Sequence, residues 1–239
     1  MTDFPSTAMV LAAGLGKRMR PLTALRPKPL VEVGGRTMLD RTLDHLRAAG
    51  VQKAVVNVHY LADQVEAHLG GRDQGLEIAI SDERAELLET GGGVTKALPL
   101  IDGDHFFVVN SDNLWDDGVV PSLQLLAQHW NPDAMDALLL LVPLARASSH
   151  SGRGDFHMDP AGRLRWRRDG RMAPFVYTGV MVVARHLFDG APAGPFGFRL
   201  LWDKAMAADR LFGVTHAGLW ADVGTPPAVA ATETLMATV

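Results

Sequence analysis
The chain is expected to fold as an α/β protein, three-layered, with a mostly parallel sheet flanked by helices. Three observations predict this. Strand-sized apolar runs alternate with segments of helical period through the first third of the chain. The first run breaks off in small residues and two glycines, Ala12-Ala13-Gly14-Leu15-Gly16. A later apolar run, His105 to Val109, ends in Asn110-Ser111-Asp112-Asn113. In such sheets ligands gather beyond the carboxyl ends of the strands, where the glycine break lies.

Taken in order, Met9 to Ala13 is the first expected strand. Thr37 to Ala49 is a helix, with Met38, Leu39, Leu43 and Leu46 at spacings of three and four and Gly50 to end it. Ala54 to Val58 is a second strand, Leu61 to Leu69 a helix stopped by Gly70-Gly71, and Leu76 to Ile80 a third strand. Leu88 to Gly93, with three successive glycines, is expected as a loop leading into a helix over Val94 to Leu98. Pro121 to Trp130 has helical character and Ala137 to Val142 is a buried strand. Ser148 to Asp155 is a polar, glycine-rich loop; Asp159 to Gly162 is a turn, and Arg163 to Arg168 alternates as one strand of an exposed hairpin. Val176 to Val183 returns to the core, interrupted by Thr178-Gly179. Arg199 to Ala208 is helical and Val214 to His216 a short strand. Thr225 with Pro226-Pro227 starts a closing helix through Ala237.

Bulk properties narrow the function. A chain of 239 residues with 47% hydrophobic residues has material for one large domain, 1–239. Net charge of −4 and a pI near 6.1 argue against nucleic-acid binding. The absence of cysteine excludes disulfides, thiolate zinc sites and cysteine nucleophiles. No apolar run reaches the length of a membrane span, and the start, with Asp3 and Pro5, lacks a basic-then-apolar leader. The expected class is a soluble cytoplasmic protein, monomer or small homo-oligomer, with neither nucleic-acid nor membrane partners.

The glycine break is the most informative stretch. Glycines let main-chain N–H groups approach a phosphate chain, and Lys17, Arg18 and Arg20 follow at once to neutralise it. A dinucleotide fingerprint would need glycine where Met19 stands, and a P-loop would need Ser or Thr where Arg18 stands. Lys28, held between two prolines, adds a further fixed cation. Asp112, at a strand end, suits either a magnesium ligand or a turn. The triple glycine gives backbone access to a flat ligand or phosphate, or is a flexible connector. The arginines of 163 to 168 are most simply a solvated face.

These motifs resemble, in order and over nearly the whole chain, those of the sugar-1-phosphate nucleotidyltransferases. The resemblance implies a Rossmann-like nucleotidyltransferase fold with a small β-hairpin part for the sugar. Residues 1–115 would then form the nucleotide-binding half and 116–239 the sugar-binding half with the second metal ligand. It implies that Leu11, Ala12, Ala13, Gly14, Gly16 and Lys17 wrap a nucleoside triphosphate, that Arg18 holds the departing pyrophosphate, and that Lys28 contacts the phosphates. Gly91 would lie by the base, and Asn110 would belong to the strand-end motif. Asp112 and Asp222, the latter in Trp-x-Asp-Val-Gly-Thr, would be the ligands of Mg2+. Gly154, Asp155, Thr178 and Gly179 are expected to line the sugar pocket. Within the family, Leu88 to Gly93, Lys96 to Pro99 and Gly152 to Phe156 most resemble N-acetylmuramate-1-phosphate uridylyltransferases of cell-wall sugar recycling. Rival expectations are a mannose- or heptose-1-phosphate guanylyltransferase and a non-catalytic nucleotide-sugar sensor. Two departures stand out: the Glu-Lys-Pro motif of the thymidylyltransferases is missing, and Ser111 stands where glycine is common. Arg153 or a hairpin arginine would then supply the missing lysine's charge.

Overall fold
A computed structural model of the chain describes residues 4–70 and 75–237. β1 (Thr7–Leu11) starts and ends two residues before the expected run, which releases Ala12 and Ala13 into the loop. A short hairpin, β2 (Glu32–Val33) and β3 (Arg36–Thr37), leads into α1 (Met38–Ala49). The Thr37 hydroxyl accepts from the Asp40 main-chain N–H at 3.0 Å, and Gly50 ends the helix at φ 93°. β4 (Lys53–Val58), α2 (Ala62–Gly70) and β5 (Glu77–Asp82) complete the first alternation. Asp3, and Gly71, expected to help stop α2, lie outside the described residues. α3 (Glu89–Ala97), β6 (His105–Asn110), β7 (Asn113–Asp116), α4 (Ser122–His129) and β8 (Ala137–Pro143) follow. The hairpin β9 (Phe156–Met158) and β10 (Leu164–Trp166) precedes β11 (Phe175–Ala184), α5 (Arg199–Ala207), β12 (Leu211–Thr215), β13 (Leu219–Asp222) and α6 (Pro226–Met236).

The main sheet runs β10-β9-β11-β6-β1-β4-β5, with β8 on the other edge of β11 and β12 beyond it. β6, β1, β4 and β5 are parallel neighbours, and β11 runs against both β6 and β8. The register of β11 against β8 shifts between Tyr177 and Met181, so Thr178 and Gly179 sit in a bulge. A separate two-stranded sheet pairs β13 antiparallel with β7, setting Asp222 opposite Asn113.

Strand alternation divides the apolar side chains between two faces. Ala8, Val10, Phe107 and Val109 pack under α1, α2 and α4, while Met9, Phe106 and Val108 pack under α3 and α5. A third cluster, Met19, Val31, Val33, Met38, Leu114 and Val223, lies behind the glycine loop and the β7–β13 pair. Each fully buried Val, Met or Phe side chain among them contributes roughly 1.5–3 kcal/mol.

The triple glycine corrects the expectation of a loop there. Gly91, Gly92 and Gly93 are the buried first turns of α3, because the 194–198 segment lies directly on the first two and Glu83 and Asn57 lie on the third. A Cβ at Gly91 would collide with the Phe196 ring, and one at Gly92 with the Gly194 carbonyl.

Candidate active site
The glycine loop leaves β1 with each glycine in a different role. Gly14 is exposed, with nothing within 4 Å of where a Cβ would stand. Gly16 has φ +60, a region that favours glycine, and the hydroxyl of Thr23 donates to its carbonyl at 2.7 Å. The chain then makes a single 3-10 turn, Lys17–Met19. Lys17 and Arg18 are exposed, while Met19 is fully buried against Leu114 and Val223. Met19, where a dinucleotide fingerprint has glycine, thus bolts the loop to the strands that carry the two aspartates.

Asp112 lies between β6 and β7, and Asp222 ends β13, so the β7–β13 pairing brings the two carboxylates to neighbouring strand ends. Lys28, only 8% exposed, donates from Nζ to Asp112 Oδ2 at 2.7 Å. Arg18 lies on the side of the other aspartate without pairing with it. A Cβ on Gly224 would stand 2.9 Å from Asp222 Oδ1 and 3.3 Å from Arg18 Nη1, so the two face each other across that glycine. Ser111 stitches the ends of β6 and β1 together, its hydroxyl donating to the Leu11 carbonyl at 2.7 Å. That bond gives a use for a hydroxyl where the family commonly has glycine.

A cavity of about 380 Å³ opens beside Lys28 and Asp112, lined by Leu11 to Gly14, Lys28, Asn110 to Asp112, and Glu89 and Thr90 of α3. Its two walls are fixed by one buried pair that the sequence did not single out. The Ala12 main-chain N–H donates to Asn57 Oδ1 at 2.6 Å, and Asn57 Nδ2 donates to Glu83 Oε1 at 2.7 Å. Glu83 Oε2 accepts the Leu88 N–H at 3.1 Å, just ahead of α3. The available signal was a lone amide inside an apolar strand, since Asn57 interrupts Ala54 to Val58. His150, also missed, lies with Nδ1 3.9 Å from Asp222 Oδ2.

The other expected residues fall less uniformly. Gly91 does not present its N–H to a base: it donates to the Phe196 carbonyl at 2.8 Å. Thr178 is fully buried and its hydroxyl donates to the Leu140 carbonyl at 2.8 Å, so it braces the bulge instead of facing a ligand. Gly179, at φ +89, is pressed against Asn110 and Asn113, within the same constellation. Gly154 is needed because a Cβ there would run into the Ala173 carbonyl. Asp155 Oδ2 accepts the Tyr177 N–H at 2.9 Å, tying the polar loop to β11. Burial, reinforced by the Asp112 carboxylate, raises the Tyr177 phenol well above its ordinary value and keeps it neutral.

Among the described residues no cluster of three or more histidine, cysteine or acidic side chains encloses a metal. Two carboxylates at open strand ends have instead the chemistry that suits a hard cation whose shell substrate phosphates complete. The donor chemistry therefore fits a divalent oxygen-seeking ion held by Asp112 and Asp222.

A glycine loop beyond a parallel strand, with two aspartates at neighbouring strand ends, Lys28 bonded to one and Arg18 near the other, has the makings of a phosphate-transfer centre of the nucleotidyltransferase class. The nucleotidyl transferase family model matches residues 7–152, and the chain belongs to that family, among the sugar-1-phosphate nucleotidyltransferases. N-acetylmuramate alpha-1-phosphate uridylyltransferase of Caulobacter vibrioides is 45% identical over 240 residues, covering 99% of each chain. The protein of the same description from Neisseria meningitidis serogroup B is 39% identical over 220 residues, covering 91% of this chain and 93% of that one. The fold is shared with the inositol-1-phosphate CTP transferase from T. maritima, at a TM-score of 0.78 and 19% identity, over 99% of this chain and 97% of that one.

Proposed function
We propose that the enzyme transfers uridylyl from UTP to N-acetylmuramate 1-phosphate, releasing pyrophosphate, in the recycling of cell-wall sugars. The observation that carries the chemistry is the β7–β13 pairing, which sets Asp222 opposite Asn113 beside Asp112, with Lys28 bonded to Asp112 at the mouth of the cavity and Arg18 near Asp222. The choice of base and sugar is supported by the two full-length relatives.

Both reactants are polyanions, so charge repulsion and alignment dominate the barrier. A sugar-phosphate oxygen is already an anion at neutral pH and attacks the α-phosphorus without a general base. None of the nine histidines has to move a proton. Catalysis then rests on positioning and on preorganised charge. The exposed main chain at Gly14 cradles the triphosphate. Arg18, with Lys17, meets the charge that accumulates on the leaving pyrophosphate. Lys28, already oriented by Asp112, holds the phosphates from the opposite side. Mg2+ bound by Asp112 and Asp222 would supply further neutralisation of the phosphate oxygens. Residues 1–115 thus serve the nucleotide. Residues 116–239 supply Asp222 and the sugar side, where Asp155 and Gly179 take the sugar and Thr178 supports them. A nucleoside triphosphate substrate places the reaction in the cytoplasm.

Pyrophosphate release from UTP, GTP, CTP and dTTP, each paired with N-acetylmuramate, mannose and glucose 1-phosphates, tests the assignment. UTP with N-acetylmuramate 1-phosphate should be turned over fastest. A preference for GTP with mannose 1-phosphate would make the enzyme a guanylyltransferase, and no turnover with any pair would make it a sensor.

A further inference from the structure
The hairpin end of the sheet carries a second concave surface, away from the glycine loop. The chain is acidic overall, at −4, yet residues 153 to 172 hold six arginines against three aspartates. Half of those arginines are engaged. Arg163 lies 3.8 Å from Asp159 and over the Phe212 ring, Arg165 pairs with Asp209, and Arg167 donates to the Gly154 and Arg171 carbonyls. Arg168, Arg171 and His157 have no side-chain partner among the described residues. These three, with Arg165, Trp166 and Met172, line one cavity of about 550 Å³. No carboxylate belongs to its lining.

The arrangement has a matching use. His157 stands directly opposite Arg165 across the β9–β10 pair, and both face outward. A concave wall bearing unpaired guanidinium groups concentrates the field that attracts an anion. Guanidinium forks match phosphate oxygens in pairs, and the volume is that of a small-molecule site. Trp166 and Met172, the latter 64% exposed, leave an apolar wall for a non-phosphate part. We propose that this cleft binds a phosphate-bearing small molecule through Arg168, Arg171 and His157, separately from the cavity at the glycine loop.

Such a ligand would act on the sugar side of the site. The segment bearing Arg168 and Arg171 is laced to the polar loop. The Arg167 N–H donates to the Asp155 carbonyl and the Ala173 N–H to the Arg153 carbonyl, each at 2.8 Å. An anion drawing the two arginines together stiffens the backbone that presents Asp155. This consequence, unlike the binding itself, rests on the sugar role proposed for Asp155.

Calorimetric titration of the full chain with inorganic pyrophosphate, in metal-free buffer, counts the sites. Two are expected in the wild type. Arg168→Ala/Arg171→Ala should retain one and Arg18→Ala should retain the other; thermal melts check that each variant is folded. A single wild-type site that disappears in Arg18→Ala, or two sites persisting in the double variant, would overturn the proposal. Loss of one site in the double variant supports it whichever sugar phosphate the enzyme uses, so failure of the substrate assignment leaves this result standing.

Discussion
Arg18 and Lys28 are both cations near the proposed phosphates, but their surroundings give them different work. Lys28 is buried and already held by Asp112, so its charge is fixed before substrate arrives. Arg18 is exposed, on a one-turn segment anchored by Met19, and faces Asp222 across Gly224. An interaction that strengthens only as the leaving group gains charge lowers kcat without weakening ground-state binding. Arg18→Ala should therefore lose kcat while the sugar-phosphate KM stays near the wild-type value. A large rise in that KM at unchanged kcat would contradict the role. At this scale the sequence singled out Arg18, Lys28, Asp112 and Asp222 as candidates, because charge in a rigid motif context has few other uses. It was a poor guide to Asn57 and Glu83, whose importance lies in whom they meet across the fold.

Among the elements, α3 carries the main lesson. A glycine run signals close approach, but the sequence does not say whether a ligand or the protein's own chain makes it. Here the chain does: the 194–198 segment occupies the space over Gly91 and Gly92, and Glu83 Oε1 lies 2.7 Å from where a Cβ on Gly93 would be. Helical glycine replaced by alanine ordinarily gains up to about 1 kcal/mol. Gly92→Ala should instead lose about 1–3 kcal/mol in a denaturant titration, because the obstructing atom is main chain. Gly70→Ala, with open space around it in α2, is the control and should not lose stability. A Gly92→Ala protein as stable as the wild type would show that the 194–198 segment yields easily. The first-half strands and helices were legible from their periods. The β7–β13 pair was not, since four-residue strands carry little pattern and their partners lie far apart in the chain.

For the molecule as a whole, the sheet and its third apolar cluster bring distant segments to one cleft. β1 and β6 deliver the glycine loop and Asp112, and the pairing of β13 with β7 returns Asp222 to Asp112's side. Met19, Leu114 and Val223 pack together behind all three segments, so the loop and both aspartates are held by a common core. Composition and motif order were enough to foresee the layered architecture and the nucleotidyltransferase family. They could not foresee which groups turn inward, as Thr178 and Gly91 do. The central claim is that Asp112 and Asp222 act as one pair in nucleotidyl transfer, and it is tested most directly by turnover of Asp222→Asn. With UTP and N-acetylmuramate 1-phosphate at saturating magnesium, this variant should fall at least about a hundredfold below wild type, the scale of losing one strong electrostatic contributor. Its fold should be intact and Asp112→Asn should be equally impaired. Near-normal turnover of a folded Asp222→Asn enzyme would contradict the account.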